Sequence, residues 1–575
     1  MILARYFVFF LAFIFTCIET YAQAPYSETK DRFIPCDEMP RILHNYNVDL
    51  KDIEGFYIVK HSPEKSERLK KLYQDYLSMV QAVDFNSLSQ ECRADYILFT
   101  NNLKENIRLL DVERQELGVI SQWFPFTGKI YDVERSRRRG IYLNSQRVAL
   151  DFYETMQEIR TLTRQLEAQP EALDPTSVVR ARETIDGLKA ALNSVMEFYE
   201  GYDPQFTWWV PVPHSRLDSA LNDYRAAFDK KMPHLGKYGI VARTPVGEAE
   251  LNKLLQHALI PYSVQDLIKL AEKEFAWCEK EFMKVSNAMG FGNDWKAAIE
   301  HVKDTYVEAG RQPEAILELY TKSVDFLKKH DLITIPPLME EVWGMRMRPS
   351  ERGSAAFFQG GKNITITYPT DNWWMDFRMA SMRGNNPNFS FATVHHELIP
   401  GHNTTFYMDL RHRSYRQSFR TSFSVEGWAL YWELLLWDLG FPQTNEEKIG
   451  MLFWRMHRAA RILFSSNFQM GNWTPEQCVD FLVDRVGHER GNAISQVEGH
   501  VRPNNYPLYQ LSYLVGGLQY YALKAELVDH GKMPLKAFHD NILQLGSMPI
   551  DMARNILTGQ KLTKDYKSTW LFYDF

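Results

Sequence analysis

The sequence predicts a mostly helical protein that carries one small β-hairpin or sheet. Apolar residues recur at three- and four-residue spacing among charged residues over much of the chain, the pattern of amphipathic helices. Several of these segments begin near Ser, Asp or Pro, the residue types that favour helix starts. The predicted helices cover residues 64–83, 88–115, 147–168, 173–200, 214–231, 263–288 and 312–330.

The length of the chain predicts more than one lobe. Its 575 residues are 45% hydrophobic and 14% aromatic, enough to bury a large core. A Gly-Tyr-Asp-Pro turn signal at 201–204 and an aromatic, proline-rich run at 206–213 interrupt the helical pattern. We therefore expect an N-terminal helical lobe over 25–205 and a second helical lobe over 206–575. The paired tryptophans of the run favour packing between lobes over lining a cleft.

The N-terminus has the pattern of a signal peptide. Residues 1–24 carry one basic residue, Arg5, then an apolar stretch at 6–18 and small residues at Ala22 and Ala24. The apolar stretch is too short to span a membrane and suits a signal-peptide core. We expect cleavage after Ala22 or Ala24, a periplasmic or secreted protein, and no stable membrane insertion of the mature chain.

Charge excludes one class of partner. The net charge is −6 and the pI is near 6.3, so the chain has no global basic surplus. Its densest basic run, residues 135–139, lies beside Asp132 and Glu134. Such a run predicts a solvated face or a contact to a substrate carboxylate, and we expect no nucleic-acid partner.

Four cysteines remain after the predicted cleavage: Cys36, Cys92, Cys278 and Cys478. None forms a C-x-x-C pair, so the cysteines do not predict a metal site. An exported chain permits disulfides, but four widely spaced cysteines in so large a protein favour small buried side chains.

One stretch predicts β-structure. Residues 357–362 begin with aromatic residues and residues 363–368 are β-branched, with Gly360 and Gly361 at the expected turn. A strand edge beside a metal site can bind extended peptide through exposed backbone groups. A purely structural hairpin is an equally good interpretation.

The most informative segment is 395–402, which reads His-His-Glu-Leu-Ile-Pro-Gly-His, with Glu426 following 24 residues later. Zinc accepts imidazole nitrogens and a carboxylate oxygen, and hydrolytic sites have three protein ligands with a fourth position for water. We therefore predict one Zn²⁺ ion with His396, His402 and Glu426 as ligands. Glu397, next to a ligand, is the predicted general base that takes the proton of the activated water.

The spacing of the two histidines requires a break in the helix. Six residues on an unbroken helix rotate the chain by about 600°, which would place His402 on the far side from His396. Pro400 disrupts the helical ladder and Gly401 accepts unusual dihedrals. The sequence thus predicts a bulged or broken turn at 399–401.

These residues resemble the large bacterial family called domain of unknown function 885, whose members carry H-E-x-x-P-G-H followed by E-G-W-A-x-Y-x-E. Residues 396–402 read H-E-L-I-P-G-H and residues 426–433 read E-G-W-A-L-Y-W-E, without gaps. A third element, Ser-Tyr-x-x-Gly, looks like residues 512–516, although Leu-Tyr at 508–509 and Asn403 depart from the family pattern. The resemblance covers the chain from about residue 30 to its end. It implies a mostly helical zinc-peptidase-like fold, similar to glutamate-liganded zinc peptidases, with the small hairpin or sheet beside the metal helix.

Other polar residues are candidates for supporting roles. Glu433 lies two helical turns after Glu426, where it either orients a ligand histidine or pairs with an arginine. Tyr513, in the string shared with the family, is the first choice for stabilising the oxyanion. The alternatives for that role are Tyr506, Tyr509, His457 and His500. The arginines Arg458, Arg461 and Arg502 either bind a substrate carboxylate or form structural ion pairs.

The predicted function is that of a secreted zinc metallopeptidase that hydrolyses short peptides. The alternatives are a metal-dependent hydrolase of another amide or ester, and a catalytically silent binding protein that retains the metal. A structural zinc site is usually closed by four Cys or His ligands, so the presence of Glu397 disfavours the silent protein. The sequence leaves open the substrate preference, the position of the cleaved bond and the oligomeric state.

Overall fold

A computed structural model describes residues 38–233, 236–349 and 358–574. Within these residues the fold is dominated by 23 α-helices, with one two-stranded sheet. The prediction of a mostly helical protein is therefore confirmed.

The described residues before the first strand contain helices and the loops that connect them. The helices are α1 (Glu38–Phe56), α2 (Pro63–Gln81), α3 (Gln90–Ile120), α4 (Thr127–Arg138), α5 (Ser145–Ala168), α6 (Pro175–Tyr199), α7 (Pro204–Trp209), α8 (Pro211–Lys230), α9 (Glu248–His257), α10 (Val264–Ala288), α11 (Trp295–Lys303), α12 (Gln312–Lys329) and α13 (Pro337–Val342).

The second half contains the sheet and the helices that surround the predicted site. Its elements are β1 (Gly344–Pro349), β2 (Asn363–Tyr368), α14 (Met375–Gly384), α15 (Pro387–Glu397), α16 (His402–Asp409), α17 (Ser422–Asp438), α18 (Asn445–Gln469), α19 (Pro475–Phe481), α20 (Arg490–Val501), α21 (Tyr509–Lys524), α22 (Leu535–Leu545) and α23 (Ile550–Thr558).

All seven helices predicted from periodicity are present, and their starts follow capping chemistry. The Ser89 side chain accepts from the Cys92 amide at the start of α3. Ser263 and Asp266 cap each other reciprocally at the start of α10. Such caps satisfy backbone N–H groups that the first helical turn leaves without intrahelical partners.

The sheet differs from the predicted hairpin. The strand at Asn363–Tyr368 is confirmed, but it pairs in parallel with Gly344–Pro349, in a register from Gly344 opposite Asn363 to Pro349 opposite Tyr368. Residues around 357–362 contribute only an isolated antiparallel bridge between Gln359 and Thr365, and residue 357 lies outside the described part. β1 alternates methionine with arginine and its last four residues are exposed, so it lacks the β-branched and aromatic composition that predicts a strand from sequence.

Buried apolar side chains form two clusters. The smaller one contains Val59 and residues between Ile120 and Phe228. The larger one combines the first three helices with residues from Ile240 to Phe572, and it surrounds the helices of the predicted site. The expected lobes, 25–205 and 206–575, stay a prediction.

The paired tryptophans at the predicted boundary do not pack between lobes as expected. Trp208 is 80% exposed and Trp209 is 40% exposed. The prolines explain the difference, because Pro204 and Pro211 start two successive helices that present both indoles at their surface.

The basic run at 135–139 forms ion pairs with neighbouring acids. Arg138 contacts Glu134 at 2.8 Å and Glu64 at 2.5 Å, and Arg137 contacts Glu134 at 3.0 Å. The run therefore helps to fix α4 in place.

The cysteines behave in two ways. Cys278 and Cys478 are buried and free, as expected. Cys92 forms a disulfide, so the expectation of a merely small buried side chain is wrong there. Disulfide formation depends on how close two cysteines lie in the folded chain, and the spacing of cysteines in the sequence does not reveal that distance.

Across the described segments, no helix combines the length and apolar character that crossing a membrane requires. The predicted signal peptide, residues 1–24, lies outside those segments.

Candidate metal centre

The break between the two predicted histidine ligands is confirmed. α15 ends at Glu397 and α16 begins at His402, with a cis peptide bond between Ile399 and Pro400. A side chain at Gly401 would collide with the backbone carbonyl oxygen of His396, so only glycine fits this turn.

Two contacts from distant elements position the turn. The Trp428 indole donates to the Pro400 carbonyl at 2.8 Å, and the Ser323 hydroxyl donates to the Ile399 carbonyl at 3.2 Å. Trp428 belongs to the second motif of the sequence, so this hydrogen bond links the second motif to the turn in the first. Sequence reasoning missed this role of Trp428.

The break brings the three predicted ligands together. His396, His402 and Glu426 each offer one ligand atom, and these atoms lie within 4.8 Å of one another. Oε2 of Glu426 lies 3.4 Å from Nε2 of His396 and 3.3 Å from Nε2 of His402. All three residues are buried.

The donor set fits a zinc ion. Two imidazole nitrogens and one carboxylate oxygen are the three-ligand arrangement of hydrolytic zinc sites. Oε2 of Glu426 has no hydrogen-bond partner among the described residues. Burial raises the pKa of Glu426, but the two histidines outweigh it and keep the pKa well below its ordinary value. Glu426 is therefore ionised, as a carboxylate that binds a metal ion must be.

Glu433 lies behind His396. It both orients that histidine and pairs with an arginine, the two roles that the sequence left open. Its Oε1 lies 2.7 Å from Nδ1 of His396 and accepts from Arg458 Nη2 at 3.0 Å. Burial raises the pKa of Glu433, but Arg458 and His396 lower it to about 2. A buried carboxylate on Nδ1 leaves Nε2 of His396 directed at the ligand group, the usual orientation of a metal-binding histidine. Burial lowers the pKa of His396, whereas Glu426 and Glu433 raise it to about 9, so a metal ion bound there would displace the proton on Nε2.

Glu397 lies at the edge of the same group, with Oε2 3.9 Å from Nε2 of His402. Gly360 packs against it so closely that a side chain there would collide with both its backbone and its carboxylate. The segment of Gly360 and Gly361 is bound to the metal helices, since Asn403 donates to the Gly361 carbonyl at 2.8 Å. Gly361 does not line the cavity of the site, and its role is to accept this hydrogen bond through its backbone carbonyl.

A close crossing of α17 and α21 brings tyrosines to the site. A side chain on Gly427 would meet the backbone of Gly516 at 2.5 Å, so this approach requires glycine. On α21, Tyr509 donates to Oε1 of Glu426 at 2.6 Å, and Tyr513 donates to the Tyr509 hydroxyl at 3.3 Å. Burial raises the pKa of Tyr513 to about 12, so its hydroxyl keeps its proton at neutral pH.

The site opens into a cavity of about 590 Å³, here called the cleft. Eleven predicted site residues line it: Gly360, His396, Glu397, His402, Glu426, Arg458, Arg461, His500, Arg502, Tyr509 and Tyr513. Tyr506 instead lines a neighbouring cavity of about 1080 Å³ that meets the cleft at Tyr509. His457 and Glu433 lie behind the lining residues.

A second group of contacts in the cleft is built around Arg461. Its Nε donates to Nε2 of His457 at 2.9 Å, and its Nη2 donates to Oε1 of Gln496 at 3.1 Å. Nδ1 of His457 in turn lies 2.9 Å from Nε2 of His488. Burial and Arg461 lower the pKa of His457 well below its ordinary value, so this imidazole is neutral. Gln496 and His488 were not predicted, because glutamine and histidine give no local signal of such contacts.

His500 and Arg502 lie nearer the mouth. Nδ1 of His500 lies 2.6 Å from the side-chain amide of Gln510, and burial lowers the pKa of His500 well below its ordinary value. Arg502 pairs with Glu498 at 3.2 Å and its side chain is 58% exposed.

Residues 57–557 match the family model described as bacterial protein of unknown function, DUF885. The chain belongs to this family. The resemblance inferred from the two motifs is thereby confirmed over residues 57–557, which contain the sheet and the candidate centre of this DUF885 protein.

Two solved structures have a similar fold. One, from Shewanella oneidensis, is provisionally described as a lipoprotein of unknown function; it is 16% identical, with a TM-score of 0.66 over 91% of this chain and 100% of its own. The other, from Colwellia psychrerythraea, is provisionally described as a lipoprotein; it is 14% identical, with a TM-score of 0.56 over 91% of this chain and 98% of its own. No curated protein matches the DUF885 chain.

Proposed function

We propose that this DUF885 protein is a zinc metallopeptidase that hydrolyses short peptides. The observation that carries the proposal is the joint position of a ligand group, a free carboxylate and phenol donors in one cleft. Those are the parts that hydrolysis of an amide needs: an electrophilic cation, a proton acceptor and an oxyanion donor.

His396, His402 and Glu426 would bind the ion, and zinc bound there would polarise the scissile carbonyl and activate a water. Glu397 accepts the proton of the attacking water, since it is the lining carboxylate outside the ligand group that has no arginine partner among the described residues. Glu433 fixes the ring of His396 through Nδ1.

The two tyrosines of the cleft have different proposed roles: Tyr509 contacts a metal ligand, and Tyr513 contacts the substrate. Tyr509 donates to Glu426, so its hydroxyl is engaged with a ligand. Tyr513 is the proposed donor to the oxyanion, because its protonated phenol lines the cleft and its present contact, 3.3 Å to Tyr509, is long enough to exchange for a substrate oxygen.

The proposed location is the periplasm or the exterior of the cell. The pattern of residues 1–24 supports export, and the two similar structures are provisionally described as lipoproteins. A short peptide is the proposed substrate because a cleft of about 590 Å³ between helices accepts a few residues and excludes folded proteins.

The test combines metal content with a peptide-library digest. Purified protein should contain one zinc per chain, and mass spectrometry should find cleaved peptides that disappear with a chelator and return with zinc. Zinc without cleavage of any peptide would favour the alternatives, and cleavage of model esters or non-peptide amides would then separate another hydrolase from a silent binding protein.

A further inference from the structure

Of the cationic side chains that line the cleft, one forms no ion pair among the described residues. Arg458 pairs with Glu433 at 3.0 Å, and Arg502 pairs with Glu498 at 3.2 Å. Arg461 is the exception within the described chain. Its two bonded nitrogens donate to a histidine and a glutamine, and Nη1 has no hydrogen-bond partner.

The partners of Arg461 are neutral. His457 accepts from Arg461 through Nε2, so its proton lies on Nδ1, where it donates to Nε2 of His488. Gln496 offers only an amide oxygen. These contacts orient the guanidinium without neutralising its charge.

A buried cation without a counter-charge is unfavourable, and a carboxylate that enters the cleft would relieve that cost. Arg461 is 6% exposed, and its Nη1, which has no hydrogen-bond partner among the described residues, can donate a charge-assisted hydrogen bond to a carboxylate. The fixed geometry of Arg461 therefore suits an anion supplied by the ligand.

The position of Arg461 places that anion near the reacting bond. Its guanidinium lies 4.1 Å from the centre of the Tyr513 ring, and that ring stacks on His396 at 6.1 Å. One side chain therefore separates Arg461 from the candidate metal centre.

We propose that Arg461 binds the C-terminal carboxylate of the substrate, so that the protein removes residues from the C-terminal end of short peptides. The inference rests on the proposed peptidase function. In the hydrolysis, the oxygen of water bonds to the scissile carbonyl carbon and the C–N bond breaks. The protons of water go to the released amine and, through Glu397, to solvent or product.

The experiment measures binding to the zinc-loaded Glu397→Gln variant, which should bind peptide without destroying it. The probes are an N-acetylated alanine pentapeptide with a free C-terminus, the same peptide as C-terminal amide, and an amidated peptide with glutamate as its last residue. We expect the free acid to bind roughly 30-fold or more tightly than the plain amide, from the usual effect of deleting one partner of a buried charge pair.

Arg461→Gln, added to this variant, should reduce the ratio of acid to amide affinity to about one while zinc content stays unchanged. Arg455→Gln is the matched control, because Arg455 lies on the same helix but pairs with Glu274 at 2.9 Å away from the cleft, and its ratio should stay high. Equal binding of acid and amide by the parent protein would overturn the inference even if Arg461→Gln did not fold. Binding of the glutamate amide as tight as that of the free acid would overturn the C-terminal assignment.

Hydrolysis by the wild-type protein separates this inference from the proposed function. Equal cleavage of acid and amide peptides would leave a peptidase and overturn the role of Arg461. An Arg461-dependent preference in binding without any hydrolysis would support the carboxylate site and overturn the peptidase.

Discussion

Two walls of the cleft differ in how their charges are balanced. The metal wall, formed by α15, α16 and α17, places carboxylates against histidines, as in the contacts of Glu426 and Glu433. The arginine wall, formed by α18, α20 and α21, surrounds Arg461 with neutral acceptors. The metal wall therefore already supplies the ligands that a cation needs. The arginine wall supplies a cation, Arg461, whose hydrogen-bond partners are neutral, and its charge is balanced only when an anion binds. Changes in the metal wall should therefore act on zinc first, and changes in the arginine wall on substrate.

The largest effect is expected for His402→Ala, which should lose bound zinc and all hydrolysis because two ligands leave an incomplete shell. Metal analysis of the purified variant measures the loss. His395→Ala is the matched control, since His395 is equally buried beside the site but lies outside the ligand group of the described residues. Undiminished zinc affinity in His402→Ala would mean that His395 or another residue is the ligand.

Glu397→Gln should come next, with turnover lowered by roughly 10³–10⁴-fold and zinc content unchanged. The amide fills the same space but cannot accept a proton. Steady-state kinetics and zinc analysis on the same preparation measure both quantities. Near-normal hydrolysis at full zinc occupancy would exclude Glu397 as the base and weaken the peptidase proposal.

Tyr513→Phe should lower turnover by roughly 10²–10³-fold while zinc and fold are retained, the usual effect of deleting one oxyanion donor. Tyr431→Phe provides the control, because Tyr431 lies in the second motif but its hydroxyl is in the core. There it shares a hydrogen bond of 2.8 Å with Nε2 of His539. Its turnover should match the wild type. Wild-type turnover in Tyr513→Phe would transfer the role to Tyr509 or His500, the other candidates that line the cleft.

The smallest effect is expected for Glu433→Gln, which should weaken zinc binding by roughly 10–100-fold, the usual effect of removing a carboxylate behind a metal-binding histidine. Zinc titration against a competing chelator measures it. Glu274→Gln breaks another Arg–Glu contact to α18, away from the site, and should leave zinc affinity unchanged. Equal affinities in both variants would show that His396 needs no support from Glu433.

Two short sequence motifs were sufficient to predict the candidate ligand group. His396 and His402 are six residues apart, Pro400 with Gly401 gives a visible signal for the break that unites them, and Glu426 begins the second motif. The helices were predictable for a similar reason, because periodicity and capping act over single turns. The identity of the metal and the roles of Glu397 and Tyr513 stay predictions.

Tertiary structure alone decided which distant side chains surround the candidate ligands. The pairing of β1 with β2, the contact of Trp428 with Pro400 and the crossing of Gly427 with Gly516 join segments that are distant in sequence. The same holds for the charge on Arg461. An arginine in a sequence shows its charge but not its neighbours, and whether that charge is neutralised depends on which side chains packing brings within hydrogen-bond distance. Sequence by itself thus determined the chemistry available on each helix, and the packing of helices determined which charges were left for a ligand.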